Sequence, residues 1–245
     1  MIAQVLAARQ PLGGAGTVFA KNITPAAIGS WTDGELQRAV TAGVSKDGTP
    51  LFPLMPYPHF GAMAADDMHA ILVYVRSWQA IEGQVAPRAL NFPMNLIVRT
   101  IPAAGTPQPR PSPQDKLAYG RYVTRIALCG DCHTPIDDRG QPLPGMSFAG
   151  GLEFLETGYR VRAANITPDA DTGIGSWTEQ QFIDKFKAFE TPSEAVLGES
   201  ERRQNTVMPM TAYAGMTRED LSAIYGYLRT LPPVVNRVAR FPDAK

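Results

Sequence analysis

The chain has 245 residues, of which 44% are hydrophobic and 19% are charged, a composition typical of a folded globular protein rather than a disordered one. Its 23 basic and 23 acidic side chains leave no net charge, so the composition lacks the basic excess expected of a nucleic-acid-binding protein. No stretch of about 18 apolar residues occurs, which excludes a transmembrane helix within this sequence. The 22 prolines predict short helices separated by ordered loops.

The first eight residues are mainly apolar, but they do not match a secretory signal. No basic residue precedes the apolar run, and Gln4 interrupts it. We therefore expect no signal peptide in residues 1–8.

Two parts of the chain repeat each other in the same order. The block Asn22-Ile-Thr-Pro25 returns as Asn165-Ile-Thr-Pro168, and Ile28–Asp33 returns as Ile174–Glu179. Farther along, Met55-Pro56, Tyr74 and Arg76 return 153 positions later as Met208-Pro209, Tyr227 and Arg229. Because the order of the blocks is kept, the repeat predicts a duplicated domain.

Each copy predicts the same pair of helices. In the second copy, Ser176 with Glu179 indicates a capping box that opens one helix, and Thr217 with Asp220 indicates a box that opens another. Residues 31–43 and 65–78 are the expected counterparts in the first copy. A further amphipathic helix, with Gly120 and Tyr122, leads into Cys129 and is expected to cross the last helix near Tyr225 and Tyr227.

These elements predict a mostly α-helical fold of short helices and long loops. We expect tandem domains over residues 1–88 and 114–235, with a proline-rich linker over 89–113 and a tail over 236–245. Within the linker, the apolar stretch 90–98 is expected to pack on a domain. The first domain is expected to be incomplete at its N-terminus, because it has far fewer residues before its Asn-Ile-Thr-Pro block than the second.

Both cysteines of the chain lie in one motif, Cys129-Gly-Asp-Cys132-His133, whose C-x-x-C-H pattern is typical of c-type haem attachment. Two thiols one helical turn apart can each add to a vinyl group of one porphyrin, and the adjacent imidazole can bind the iron. The alternatives are a chance cluster or a redox dithiol, but a thioredoxin-like dithiol requires a βαβ context that is missing here. A four-ligand zinc site would find only His59 and His69 as further soft ligands.

Met208 is the candidate for a second axial ligand of the same iron. A thioether is a suitable haem ligand, and Met208 recurs as Met55, followed by proline each time. Met210 and Met216 are the competing methionines. Met210 has Tyr57 as its counterpart, and Met216 is better explained by core packing.

Together these motifs resemble the class I c-type cytochromes, and specifically the two-haem periplasmic cytochromes related to the cytochrome subunits of bacterial alcohol and gluconate dehydrogenases. The blocks that carry the resemblance are 128–135, 145–150, 165–168, 175–178 and 208–209. The resemblance implies one covalent haem c on Cys129 and Cys132, with His133 and Met208 as axial ligands. By the same logic, Met55 is the distal ligand of a first haem. The C-x-x-C-H motif of that haem would fall before residue 1, so we expect a truncated N-terminus and, in the longer protein, a second haem.

Two further residues are weaker candidates. Trp177 and Asn165 could contact the propionates of the haem; alternatively, Trp177 anchors the start of a helix in the core and Asn165 forms a turn.

The resemblance implies an electron carrier rather than an enzyme. Electrons would pass from a periplasmic dehydrogenase to a downstream cytochrome or oxidase, and any association with the membrane would run through a partner. Because haem is attached to C-x-x-C-H outside the cytoplasm, we expect an exported, periplasmic protein. One alternative is a haem enzyme with an open sixth site, such as a peroxidase or another oxidoreductase. Another is a sensor or scaffold whose first domain has lost its haem and only docks partners.

Overall fold

A computed structural model describes residues 9–11, 13–138, 140–156, 159–191 and 206–242. The chain is mostly helical, with few short strands and long loops, as the sequence predicts. It divides into two compact units, Met1–Arg110 (unit 1) and Pro111–Lys245 (unit 2). Within the described ranges, no helix is both long and apolar enough to cross a membrane. Residues 1–8, in which we expect no signal peptide, lie outside the described residues.

Unit 1 combines a small antiparallel sheet with short helices. Strand β2 (Gly16–Phe19) lies between β1 (Arg9–Pro11) and β3 (Ala89–Leu90). The helices are α1 (Pro25–Ile28), α2 (Asp33–Ala42), α3 (Tyr57–Phe60), α4 (Ala65–Arg76) and α5 (Met94–Ile97). The side chains of Leu36, Met68, Leu72 and Val98 are buried in its core.

Much of the segment predicted to be a linker belongs to unit 1. Strand β3 pairs with β2. Val98 is only 1% exposed, because burial of an apolar side chain away from water is favourable. Farther along, the backbone N–H of Gln108 donates to the carbonyl of Ala62 at 3.3 Å, and Arg110 pairs with Asp67 at 2.9 Å. The structure thus places residues 89–110, most of the segment expected to be a linker, in unit 1.

Unit 2 is built on a close crossing of two helices. It contains α6 (Lys116–Ile126), α7 (Cys129–His133), the hairpin β4 (Glu153–Glu156) and β5 (Tyr159–Arg162), α8 (Glu179–Lys187), α9 (Met210–Ala214) and α10 (Arg218–Leu228). A Cβ atom on Gly120 of α6 would lie 2.0 Å from the carbonyl oxygen of Ala223 and 3.1 Å from the Cβ of Tyr227, both on α10. The predicted crossing of these two helices is therefore confirmed.

The starts of the helices agree with the sequence in one case and differ in another. Helix α10 opens with the predicted box of Thr217 and Asp220. Helix α8 instead uses Thr178 as its N-cap, and Gln181 completes the box, so the prediction of Ser176 with Glu179 was wrong. The reason is that Thr178 has the extended backbone (φ −80°, ψ 159°) from which its hydroxyl reaches the N–H of Gln181.

Candidate functional site

Helix α7 contains the whole Cys129–His133 motif. Leu128 precedes it in the left-handed conformation, with φ 59°, and turns the chain sharply after α6. A non-glycine residue pays about 1–2 kcal/mol for that conformation, so the surrounding contacts must hold it. Because Cys129 and Cys132 are three positions apart on a helix, their thiols lie on the same face. Both cysteines are free; Cys129 is half-buried and Cys132 is exposed.

His133 is held in one orientation by a backbone carbonyl. Its side chain is 9% exposed, and Nδ1 lies 2.7 Å from the carbonyl oxygen of Ala164. A carbonyl only accepts, so Nδ1 carries the proton and Nε2 carries the lone pair that can bind a metal ion. Metal-binding histidines almost always donate their other ring N–H in this way.

Burial has the largest effect on the pKa of His133. Burial lowers the pKa of His133, the hydrogen bond to Ala164 opposes that change, and the charge of Arg240 lowers the pKa further. A lowered pKa favours the neutral imidazole, which is the form that binds a metal ion.

Burial also raises the pKa of the Cys129 thiol to about 12, and it raises the pKa of Cys132. Reactive redox dithiols have lowered thiol pKa values, so the structure does not support the redox-dithiol alternative.

The aromatic residue Phe148 packs against α7. The ring of Phe148 comes within 3.4 Å of the position that a Cβ on Gly130 would occupy, and its backbone N–H donates to the hydroxyl of Thr134 at 3.1 Å. The carbonyl of His133 accepts from the N–H of Gly150 at 2.7 Å. These contacts fix the segment that follows α7 against the motif.

Tyr213 links helix α9 to the chain just before the motif. Its hydroxyl donates to the carbonyl of Ala127 at 2.8 Å. Burial raises the pKa of Tyr213 to about 12, and smaller electrostatic contributions come from the neighbouring Cys129, Cys132 and Asp131. The sequence reasoning missed this residue. The only sequence signal was that its repeat counterpart is Phe60, so the hydroxyl is particular to the second copy.

Met208 and Met55 lie in the same kind of turn. The N–H of Met210 donates to the carbonyl of Met208 at 2.7 Å, across Pro209 with φ −75° and ψ 65°. In unit 1 the N–H of Tyr57 donates to the carbonyl of Met55 at 2.8 Å, across Pro56 with φ −79° and ψ 54°. Both are inverse γ-turns, and both methionines are half-buried.

Met208 and Met55 belong to different units, and the two competing methionines are part of the core packing. Met208 lies in unit 2, two residues before α9, the helix that Tyr213 attaches beside the motif. Met55 lies in unit 1. Met210 is 8% exposed, and Met216 packs against the core of unit 2, so both competing methionines have packing roles.

Asn165 forms a clamp between its own turn and the chain near the C-terminus. Its Oδ1 accepts from the N–H and the hydroxyl of Thr167 at 2.9 and 2.8 Å, and its Nδ2 donates to the carbonyl of Val234 at 2.8 Å. Asn22, Thr24 and Ile81 repeat these contacts in unit 1, with an Nδ2-to-carbonyl distance of 2.8 Å. Ile81 and Val234 are 153 positions apart, which is the offset at which Met55, Tyr74 and Arg76 recur.

Trp177 contributes to the core of unit 2. Its side chain is half-buried against the cluster that includes Phe182 and Ile183, and its carbonyl accepts from the hydroxyl of Tyr225 at 2.6 Å. These contacts match the alternative of a core anchor at the start of a helix. Asn165 likewise makes the contacts of a turn former.

No family model matches the chain. Among curated proteins, it is 33% identical over 238 residues to the protein named alcohol dehydrogenase (quinone), cytochrome c subunit, of Gluconacetobacter polyoxogenes; the alignment covers 89% of this chain and 49% of the relative. It is 28% identical to the gluconate 2-dehydrogenase cytochrome c subunit of Pantoea cypripedii, with coverage of 88% and 51%. It is 26% identical to a diheme cytochrome c-type protein of Cereibacter sphaeroides, with coverage of 89% and 73%. The chain spans about half the length of the first two relatives.

Proposed function

The chain is a homologue of dehydrogenase-associated cytochromes c, and we propose that it carries electrons through a haem c attached at Cys129 and Cys132. The observation that carries this proposal is the state of His133 at the end of α7. Its Nδ1 donates a hydrogen bond to the carbonyl of Ala164, so the lone pair of Nε2 is free to bind a metal ion. His133 directly follows Cys132, and the two thiols of the motif lie on one face of α7. These residues fit a covalently bound haem.

The proposed ligand set is His133 Nε2 and the Met208 thioether, with thioether bonds from both cysteines. Bound haem c supplies a one-electron couple of ferric and ferrous iron, and methionine with histidine ligation raises its potential. If His133 and Met208 both held the iron of a bound haem, no open position would remain for oxygen or peroxide. This is the reason to prefer an electron carrier over a peroxidase-like enzyme.

The chain's own residues keep the proposed ligands rigid. The Ala164 carbonyl orients the imidazole, and the γ-turn at Pro209 restrains Met208. Tyr213 joins the segment after Met208 to the segment before Cys129. Ligands held in this way need little rearrangement when the iron changes oxidation state, which favours fast exchange with partners.

We also propose that unit 1 is a second cytochrome c-like domain and that Met55 is an axial ligand there. Its Met-Pro turn and its Asn-Thr clamp match those of unit 2. In the described part of unit 1, the hydroxyl of Tyr57 is buried two residues after Met55 and has no hydrogen-bond partner, a cost of about 1–3 kcal/mol that a bound group could relieve. Both cysteines of this sequence belong to α7, so these 245 residues attach one haem.

The proposed place of the protein is a periplasmic electron pathway. The donor would be a dehydrogenase of the kind named for the relatives, and the acceptor a cytochrome or an oxidase. Any attachment to the membrane would run through such a partner.

The test compares two methionine variants of the haem-loaded chain. Met208→Leu should change the visible spectrum of the reduced and oxidised protein and lower its potential, whereas the control Met210→Leu should leave both unchanged. The intact mass after denaturation should show one haem, and Cys129→Ser with Cys132→Ser should show none. An unchanged spectrum for Met208→Leu, together with rapid cyanide binding by the wild type, would favour the enzyme with an open sixth site.

A further inference from the structure

The backbone of Ala149 and Gly150, which we call the 149–150 corner, packs against both bonds that hold His133. The N–H of Gly150 donates to the carbonyl of His133 at 2.7 Å, and the carbonyl of Ala164 accepts from Nδ1 at 2.7 Å. Gly150 has φ 73°, and a Cβ there would lie 2.4 Å from the carbonyl carbon of Ala164 and 2.5 Å from its oxygen. Glycine permits this close approach, so the place of the Ala164 carbonyl depends on the 149–150 corner.

Asn236 holds the other side of the 149–150 corner. Its Nδ2 donates to the carbonyl of Ala149 at 2.9 Å and lies 3.5 Å from the carbonyl oxygen of Gly150. Ala149 is 0% exposed, so water cannot readily replace this donor. The side-chain amide of Asn236 therefore restrains the corner from outside.

Asn236 is also anchored to the segment that carries the Ala164 carbonyl. Its backbone N–H donates to the hydroxyl of Thr172 at 3.0 Å. Two residues earlier, the carbonyl of Val234 accepts from Nδ2 of Asn165 at 2.8 Å. Asn236 therefore joins the two segments that orient the imidazole, although it does not touch the imidazole itself.

The repeat shows that the fold does not require this amide. Position 83, which lies 153 positions before Asn236, is a glycine and has no side chain that could donate. The Asn-Thr clamp nevertheless forms in unit 1, where Asn22 bonds to the carbonyl of Ile81 at 2.8 Å. The amide at position 236 is therefore particular to unit 2, the unit that contains the Cys129–His133 motif.

We propose that Asn236 is a positioning residue for His133, an inference that rests on the proposed function. By holding the 149–150 corner, Asn236 fixes the direction of the bond between Nδ1 and the Ala164 carbonyl. A well-directed bond of this kind makes Nε2 a stronger donor to a metal ion. A stronger donor favours ferric iron, which has the higher charge, so Asn236 lowers the reduction potential of the site.

The test uses the haem-loaded chain and two variants that remove the donor, Asn236→Ala and Asn236→Leu, of which the second keeps about the same side-chain size. The control is Thr217→Ala, which removes the N-cap of α10 and destabilises unit 2 without touching the corner.

Hydrogen exchange and redox titration provide the two measurements. In NMR of the reduced protein, the His133 Nδ1–H and the Gly150 N–H should exchange at least about tenfold faster in both Asn236 variants, relative to the amides of α10. At a fixed potential, the ratio of reduced to oxidised protein should rise about threefold, which is a potential about 28 mV higher at 59 mV per tenfold. The control should change neither quantity.

Two results would overturn the proposal. One is a potential equal to that of the wild type in both Asn236 variants, whether or not exchange is faster, because Asn236 would then have only a structural role. The other is the same rise in potential for Thr217→Ala, because loss of stability alone would explain it. Failure of the proposed function is a separate result, seen as an intact mass without haem. Exchange of the Gly150 N–H tests the link between Asn236 and the corner in that case too.

Discussion

Substituting alanine at Gly120 should destabilise the protein, although alanine is the better helix former. A Cβ at this position would lie 2.0 Å from the oxygen and 2.6 Å from the carbon of the Ala223 carbonyl. Since real Cβ contacts stay beyond 3.0 Å, α6 and α10 must separate by about 1 Å, and the obstacle is backbone rather than a flexible side chain. Overpacking costs about 1–3 kcal/mol, and we expect the upper end; alanine returns about 1 kcal/mol of helix propensity. The net loss is about 2 kcal/mol.

Gly226 provides the matched control, because it lies on α10 of the same helix pair. A Cβ there has no neighbour within 4 Å, so Gly226→Ala should gain about 1 kcal/mol from helix propensity alone. At roughly 2–4 °C per kcal/mol for a chain of this size, Gly120→Ala should lower the melting temperature by about 4–8 °C and Gly226→Ala should raise it by about 2–4 °C. Thermal unfolding followed by circular dichroism measures both. If Gly120→Ala is as stable as Gly226→Ala, the close crossing is not what holds unit 2 together.

Three further substitutions test the two Asn-Thr clamps and the Tyr213 hydrogen bond. Asn165→Ala removes at least three hydrogen bonds, two of them buried, at about 1 kcal/mol each, so urea unfolding should show a loss of about 2–3 kcal/mol. Asn22→Ala should cost a similar amount, and a loss below about 0.5 kcal/mol in both would contradict the clamp. Burial raises the pKa of Tyr213 to about 12, so the native state holds this proton more tightly than the unfolded chain, whose phenol titrates near 10. The contribution of Tyr213 to stability should therefore be intact below pH 10 and be lost as the pH rises to about 12. Urea unfolding across this range should show a smaller fall for Tyr213→Phe than for the wild type, and equal falls would refute the assignment.

The sequence predicted well those features that depend on local spacing. The helix pairs of each repeat, the Thr217 box and the glycine crossing all follow from residues three or four positions apart, which share a helical face whatever surrounds them. The clustering of both cysteines with His133 is likewise local. In the structure these residues form one short helix.

Helix starts show where local spacing is ambiguous. Ser176 with Glu179 and Thr178 with Gln181 both satisfy the capping-box pattern, two residues apart. Only the extended backbone at Thr178 decides between them. In the same way, the prolines over residues 101–113 predict an extended chain, but they do not reveal that Gln108 and Arg110 bond to unit 1.

Contacts between distant residues could not be predicted from the sequence. The partner of His133 is the carbonyl of Ala164, 31 positions away, and the partner of Asn165 is the carbonyl of Val234, 69 positions away. Every residue has a carbonyl, so no pattern of side chains identifies which one accepts. The sequence could therefore predict the motif but not the bond that fixes its tautomer.

The two repeat helices α4 and α10 show why a pattern predicts that a helix packs without predicting its partner. Both carry an acidic residue, alanine, an aliphatic residue and tyrosine at the same four positions, so the stripe alone predicts equal burial. Burial nevertheless differs, because it belongs to a pair of surfaces, and only α10 has a described helix with glycine at the crossing point.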